Sequence, residues 1–250
     1  MKKYSISDFK NSTPSWKRKK DPLIGRYFYR PISYVFSYIL ANLGVRANTV
    51  SFLSIFISVF GCALFFFNNY WACFVGSLFF VFWSVLDCVD GDMARTVGKQ
   101  PFGEFADAVS CYFLQAFMSV ATGYAAFTHG GILFGQQSIS VVIIGCVASI
   151  SNLLMRLIYQ KYLHGEMQLV NAGIIKKNED VWKDNDKVSD WRVRFKEAMG
   201  VGGWLPIFTV IAALMNVLDI ITIYCFIMYT GAAIVTIASY IKKAYIIGNT

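Results

Sequence analysis

Six apolar segments of the sequence have about the length that a helix needs to cross a lipid bilayer. A hydrocarbon core of about 30 Å takes roughly 20 apolar residues per helix. The fifth segment, Gly203–Met215, is short, so we expect it to begin earlier, near Met199, or to be partly sheltered by its neighbours. With 56% hydrophobic and only 15% charged residues, the chain is predicted to be an all-α, polytopic integral membrane protein with six transmembrane helices. The segments are Thr49–Phe67, Tyr70–Leu86, Ala108–Thr128, Ser138–Ile158, Gly203–Met215 and Val217–Ser239.

Basic residues fall on one side of these six spans. All 23 Lys and Arg residues lie before the first span, after the last one, or at the inner ends and in the inner loops between them. Because basic loops stay in the cytoplasm, both termini and the inner loops are predicted to be cytoplasmic. Topology and attraction to anionic membrane lipid therefore account for the net charge of +8. No room remains for a folded basic domain that would bind nucleic acid.

The polar stretches set the predicted domain organisation. Residues 1–48 form a cytoplasmic N-terminal segment whose basic, aromatic-rich part is an amphipathic interfacial helix ending at Gly44. Residues 49–241 form the six-helix membrane domain, in which 159–200 is a cytoplasmic connector, and 242–250 is a cytoplasmic tail. The six cysteines show no CxxC or Cys/His spacing, which argues against a disulfide framework and a zinc site.

Acidic residues cluster where the second predicted span ends and the third begins, in LDCVDGDMARTVGKQPFGEFADAVSC. Asp87 and Asp90 share one helix face, and Asp107 and Cys111 share another, because residues three or four apart point the same way. Ionisable groups at such depth are costly and are therefore functional candidates. Three carboxylates meeting there would repel one another without a cation. Oxygen ligands with open positions for phosphate suit Mg²⁺, or Mn²⁺ as a substitute.

Arg95 and two glycines accompany the acidic residues. The planar guanidinium of Arg95 is a fork-shaped donor suited to a diphosphate. Gly91 and Gly103 allow a tight loop and a close approach between the two helices. The combination indicates a phosphate-binding site at the inner membrane face.

This segment resembles the motif of the CDP-alcohol phosphotransferase family. The family motif runs Asp, two residues, Asp-Gly, two residues, Ala-Arg, usually eight residues, Gly, three residues, Asp, three residues, Asp. The stretch RANTVS is also similar to the polar segment before the family's first span, through Asn48 and Ser51. The matching motif residues are Asp87, Asp90, Gly91, Ala94, Arg95, Gly103 and Asp107.

The resemblance implies metal-dependent transfer of a phospho-alcohol or phosphatidyl group from a CDP-linked donor to an acceptor hydroxyl, with release of CMP. The donor would be CDP-diacylglycerol or a CDP-alcohol, and the context phospholipid or related membrane-lipid biosynthesis. Family members often pair as dimers, and this chain is compatible with a homodimer. The metal ligands would be Asp87, Asp90 and Asp107, and the nucleotide contacts Asn48, Ser51, Gly91, Ala94, Arg95 and Gly103.

Arg156 is the candidate for binding the acceptor. An acceptor that carries phosphate would need a basic group beside the metal site, and Arg156 falls at the inner end of the fourth predicted span. Anchoring of the span by the positive-inside rule explains the same residue equally well.

The chain departs from the family motif at Cys111, where the family has its fourth Asp. That Asp is thought to deprotonate the acceptor and to help bind a second metal ion. A thiol is a poor ligand for Mg²⁺, and with a pKa of about 8.5 it is a weak base at neutral pH. Three hypotheses stay open: a thiolate base, a base role for Asp107 or Glu104, or a relative that binds the CDP-lipid with impaired or lost catalysis. The gap between Arg95 and Gly103 is also one residue shorter than usual, which a loop can absorb.

An ion-coupled transporter is the alternative from another class of protein. Intramembrane carboxylates would then bind or relay ions. This hypothesis predicts acidic residues spread along a path through the bilayer, whereas here they cluster at one surface beside Gly and Arg.

Overall fold

The structure is a computed structural model that describes residues 3–175 and 197–248. Every regular element in these described ranges is helical, as predicted. A π-helical turn, Gly25–Tyr29, leads directly into α3. The helices are α1 (Ile6–Ser12), α2 (Ser15–Lys20), α3 (Arg30–Asn42), α4 (Ala47–Leu64), α5 (Tyr70–Thr96), α6 (Gly103–His129), α7 (Ile139–Asn171), α8 (Leu205–Met215) and α9 (Leu218–Gly248).

Five of the helices, α4 to α7 and α9, are long and apolar enough to cross a membrane. The remaining predicted span corresponds to α8, an apolar helix of 11 residues, which is about 16 Å long. It does not begin near Met199 but at Leu205, with Pro206 in its first turn. It ends at Met215, and the next residue, Asn216, has a left-handed φ of 55° that stops the helix. The chain is thus a polytopic, all-α, membrane-type fold with one short apolar helix.

Three of the long helices continue well past their apolar stretches. The predicted spans ended at Leu86, Ile158 and Ser239, whereas α5, α7 and α9 reach Thr96, Asn171 and Gly248. A helix continues into polar sequence because its hydrogen bonds join backbone groups. The first part of the predicted connector 159–200 is therefore helical, and its residues 176–196 lie outside the described ranges.

The chain divides into two compact units. The first comprises Met1–Leu114 and Asn185–Asn216, and the second Gln115–Asp184 and Val217–Thr250, in each case through their described residues. The first unit therefore contains α1 to α5, the start of α6, and α8. The second contains the rest of α6, with α7 and α9.

Two glycines bring α4 and α5 of the first unit into close contact. A Cβ atom at Gly76 would lie 2.7 Å from the carbonyl oxygen of Gly61 and 2.8 Å from the ring of Phe65. Small residues allow such backbone approach between membrane helices, where close packing replaces the hydrophobic effect as the driving force. The rings of Phe65 and Phe80 stack beside this contact at 5.3 Å between centroids.

The N-terminal segment packs on the C-terminal part of α5. Phe9 of α1 is fully buried in the core that Val89 and Met93 of α5 help to form. At the end of α3, Gly44 has a φ of 78°, and Val45 N–H donates to the carbonyl of Leu40 at 3.0 Å. This left-handed glycine cap ends the helix where the sequence predicted.

Polar contacts hold the second unit together where the loop between α6 and α7 meets α9. Asp219, at the start of α9, is fully buried and accepts hydrogen bonds from the N–H groups of Leu133 (2.6 Å) and Phe134 (3.2 Å). Further along α9, Thr222 donates to Thr122 of α6 at 3.0 Å. The loop between α6 and α7 is thereby fixed to α9.

Gly76→Ala is expected to destabilise the protein by about 1–3 kcal/mol, because the added methyl group overpacks the contact with Gly61. The matched control is Gly231→Ala on α9, where a Cβ meets nothing within 4 Å and Ala is the better helix former. Thermal unfolding of each purified variant in detergent measures the change in stability. Equal midpoints for the two variants would contradict the close contact.

Candidate functional site

The acidic side chains of the site come from the C-terminal part of α5 and the first turns of α6. Asp87 and Asp90 lie one turn apart on α5, where the helix runs on towards Thr96. Asp107 lies one turn into α6, which begins at Gly103. A short connection, residues 97–102, joins the end of α5 to the start of α6.

Asp87 and Asp107 lie side by side. Their carboxyl groups are within hydrogen-bonding reach of each other, and Asp90 interacts electrostatically with both. Asp90 is buried, Asp87 is half-buried and Asp107 is exposed. Asp87 and Asp107 therefore form a pair that opens to solvent at Asp107, and Asp90 lies within electrostatic range of the pair. These three residues are called the acidic cluster below, and a cation among them would offset the repulsion between their charges.

α4 supplies two polar residues to the cluster and its loop. The buried hydroxyl of Ser51 donates to Oδ2 of Asp90 at 2.6 Å. The backbone N–H of Asn48 donates to Oε1 of Gln100 at 3.0 Å, and its side-chain amide donates to the carbonyl of Pro101 at 2.8 Å. Ser51 thus fixes an acidic side chain, and Asn48 fixes the loop that leads into α6.

Asp92, which the sequence analysis did not select, organises the basic side of the site. Its fully buried carboxylate accepts from the guanidinium groups of Arg30 (2.7 Å) and Arg95 (2.6 Å) through Oδ1, and from the hydroxyl of Ser33 (2.6 Å) through Oδ2. Arg30 also binds Asp21 at 2.9 Å. These are charge-assisted hydrogen bonds, the stronger kind. Arg30 and Asp92 are 62 residues apart, and no sequence pattern links them.

The motif glycines leave room around polar side chains. A Cβ atom at Gly91 would lie 3.2 Å from an amino nitrogen of Arg95, and one at Gly103 would lie 3.4 Å from the side-chain oxygen of Asn48. Ala94, between Gly91 and Arg95 on α5, is half-buried. Any side chain at Gly91 would therefore crowd the guanidinium of Arg95.

Lys17 of α2 lies within electrostatic range of the acidic cluster. Burial, followed by the guanidinium groups of Arg95 and Arg30, lowers the pKa of Lys17, while Asp21 and Asp87 oppose that shift. Lys17 also interacts with Asp107. The sequence places this residue in a run of four basic residues, and nothing in the run distinguishes it from its neighbours.

Cys111 lies one turn beyond Asp107 on α6 and is half-buried. Glu104, in the first turn of the same helix, is exposed and interacts electrostatically with Asp107. The two candidate bases that the sequence offered besides the thiol are therefore neighbours on α6.

Arg156 belongs to the second unit. Its Nε donates to the side-chain oxygen of Asn152 at 3.0 Å, and its terminal nitrogen donates to the side-chain oxygen of Gln115 at 2.5 Å. Both amide side chains are buried. Arg156 is thus held within a polar cluster between α6 and α7.

Oxygen donors dominate the site of the first unit. Within the described ranges, no group of three or more His, Cys, Asp or Glu side chains has the arrangement of a metal site. Mg²⁺, however, is usually bound through one or two carboxylates, with water and substrate phosphate completing its octahedron. Asp87, Asp107 and the second oxygen of Asp90 match that donor chemistry, whereas the soft sulfur of Cys111 does not.

A comparison of the sequence with family models identifies a family. A family model described as CDP-alcohol phosphatidyltransferase matches residues 44–181, which is more than half of the 250-residue chain. The matched range includes the acidic cluster, Arg95, Cys111 and Arg156. A search among curated proteins finds no match to the sequence. The chain belongs to the CDP-alcohol phosphatidyltransferase family, whose members transfer a phospho-alcohol from a CDP-alcohol in lipid synthesis.

Proposed function

We propose that this protein transfers a phospho-alcohol or phosphatidyl group from a CDP-linked donor to an acceptor hydroxyl and releases CMP. The observation that carries the proposal is the meeting of Asp87, Asp90 and Asp107 at the inner end of α5, next to Arg95. Such an arrangement of carboxylates and a guanidinium suits a metal-bound diphosphate. Family membership supports the reaction class.

Asp87, Asp90 and Asp107 would hold Mg²⁺, or Mn²⁺ in its place. When bound, the ion would neutralise charge that develops on the diphosphate oxygens. Ser51 restrains Asp90 by its hydrogen bond, and Asn48 restrains the loop before α6. The donor nucleotide would lie along the residues of the motif and its flank: Asn48, Ser51, Gly91, Ala94, Arg95 and Gly103.

The transfer step requires a proton acceptor. The acceptor oxygen forms a bond to the phosphorus next to the alcohol, the bond from that phosphorus to the bridging oxygen breaks, and CMP leaves with that oxygen. The proton of the acceptor hydroxyl goes to a base. Cys111 occupies the position of the family's base, and Asp107 and Glu104 lie on the same helix.

The thiol of Cys111 also supports a second candidate function. A protein that binds the CDP-lipid but transfers slowly or not at all would need the carboxylates and Arg95, but no base. The transporter alternative has less support, because Asp87, Asp90 and Asp107 form one cluster at the junction of α5 and α6.

The membrane setting of the proposed reaction follows from charge. Lys and Arg accompany the helix ends that carry the site, so we assign the site and both termini to the cytoplasmic side. Donor or acceptor, or both, would be membrane lipids that reach the site laterally. A homodimer is part of this proposal through the family resemblance.

Purified protein incubated with Mg²⁺, CDP-diacylglycerol or soluble CDP-alcohols and a panel of acceptors should release CMP, detected by mass spectrometry. Asp90→Asn should lower the rate roughly a hundredfold, because it weakens charge stabilisation in the transition state. Asp8→Asn, the same change on α1, is the matched control and should keep the rate. Donor binding without CMP release from any acceptor would favour the impaired relative. Absence of both donor binding and CMP release would reject the proposal.

Cys111→Ala should lower CMP release at saturating Mg²⁺ by about a hundredfold if the thiol is the base, since a positioned base contributes about that factor. Cys146→Ala, which removes another half-buried thiol, should leave the rate unchanged. A full rate in Cys111→Ala would rule out a thiolate base and leave Asp107 and Glu104 as the candidate bases. Activity that arises only in Cys111→Asp would identify the natural chain as catalytically impaired.

Arg156→Ala should raise the acceptor KM about tenfold if its guanidinium binds an anionic acceptor through charge-assisted hydrogen bonds. The donor KM should stay constant, which separates acceptor binding from a general loss of fold. Lys161→Ala, which removes an exposed basic side chain further along α7, serves as control. An unchanged acceptor KM would leave Arg156 with a purely structural or anchoring role.

A further inference from the structure

We infer that Asp92 is the positioning residue that fixes the guanidinium of Arg95 for the donor diphosphate, and that Arg30 and Ser33 of α3 hold Asp92 in place. This inference rests on the proposed function and adds to it Asp92, at a variable position of the family motif, and Arg30 and Ser33, which lie outside the motif. It also connects the N-terminal segment to donor binding.

Both oxygens of the Asp92 carboxylate accept hydrogen bonds from neighbouring side chains. Oδ1 receives both guanidinium groups, from Arg30 at 2.7 Å and from Arg95 at 2.6 Å, and Oδ2 receives the hydroxyl of Ser33 at 2.6 Å. The side chain is completely inaccessible to solvent. Asp92 is therefore unavailable as a metal ligand, although only one residue separates it from Asp90, and its role is to orient Arg95.

Arg95 keeps donors for a ligand after this contact. Its side chain is 19% exposed, and its Nε is buried without a hydrogen-bond partner among the described residues. One of its amino nitrogens lies above Gly91, where no side chain intervenes. A guanidinium has five donors in a rigid fork, so fixing one nitrogen on Asp92 sets the direction of the others.

A merely structural salt bridge explains the network poorly. Buried ion pairs recover little net stability, because desolvation offsets their attraction, and apolar residues of similar volume often stabilise as well. Here two guanidinium groups share one carboxylate oxygen, so each limits the freedom of the other. The network therefore provides a fixed orientation of the Arg95 guanidinium.

Arg30 and Ser33 lie one turn apart on α3, and Arg30 also binds Asp21 in the segment between α2 and the π-helical turn. The position of Asp92 therefore depends on how α3 packs against α5. Displacement of α3 would release Asp92 and weaken the hold on Arg95. Donor affinity is thereby linked to the packing of the N-terminal segment.

The test measures equilibrium binding of CDP, with Mg²⁺, to the full-length protein in detergent by calorimetry. Asp92→Asn should raise the Kd roughly tenfold, the loss expected when a charge-assisted hydrogen bond to the ligand-binding guanidinium is weakened. Ser33→Ala, which removes one neutral donor, should raise the Kd about threefold. Asp8→Asn is the matched control: it makes the same change at an exposed carboxylate of α1 outside the network, and it should keep the Kd within about twofold.

Thermal unfolding of each variant separates positioning from folding. If Asp92→Asn does not fold, Ser33→Ala decides the question. Suppose that Asp92→Asn folds and binds CDP like the natural protein, while Arg95→Gln loses binding. That result, or the same result with Ser33→Ala where Asp92→Asn does not fold, would overturn the positioning role. It would leave the proposed function intact. Failure of the natural protein to bind CDP would overturn the proposed function, and this inference with it.

Discussion

The region around the C-terminal end of α5 depends on hydrogen bonds between buried polar side chains of different helices. In an apolar bundle an unpaired polar group costs free energy, whereas a paired one ties two helices together. Ser51 and Asp90 join α4 to α5, and Trp83 of α5 donates to Ser110 of α6 at 2.9 Å. The same contacts that hold the helices together therefore bring the acidic side chains to one place.

The helical class and most of the spans follow from the sequence because length and hydropathy are local properties. The helix ends are less predictable, since a helix needs no apolar side chains to continue. α7 runs to Asn171 because nothing in its polar continuation breaks it. α8 is short because Pro206 lies at its start and the left-handed Asn216 at its end. A hydropathy window is too coarse to register either residue.

The acidic cluster was predictable from spacing, but its surroundings were not. Asp87 and Asp90 share a face by helical periodicity, and the short loop before α6 brings Asp107 to them. Lys17 and Asp92 depend instead on contacts between residues far apart in sequence. Their positions follow from how the N-terminal helices pack on α5, and a single sequence carries no signal of that packing.

Cys111 changes the charge of the site as well as its base. A site with three carboxylates and a neutral thiol carries one negative charge fewer than a site with four carboxylates, so fewer cations balance it. Lys17 and Arg95 already lie nearby, and Asp92 is neutralised by its own guanidinium partners. The groups proposed for donor binding, Asp87, Asp90, Asp107 and Arg95, are therefore all retained. The proposed transferase and the proposed binding relative share these groups, and they differ in whether a base takes the acceptor proton.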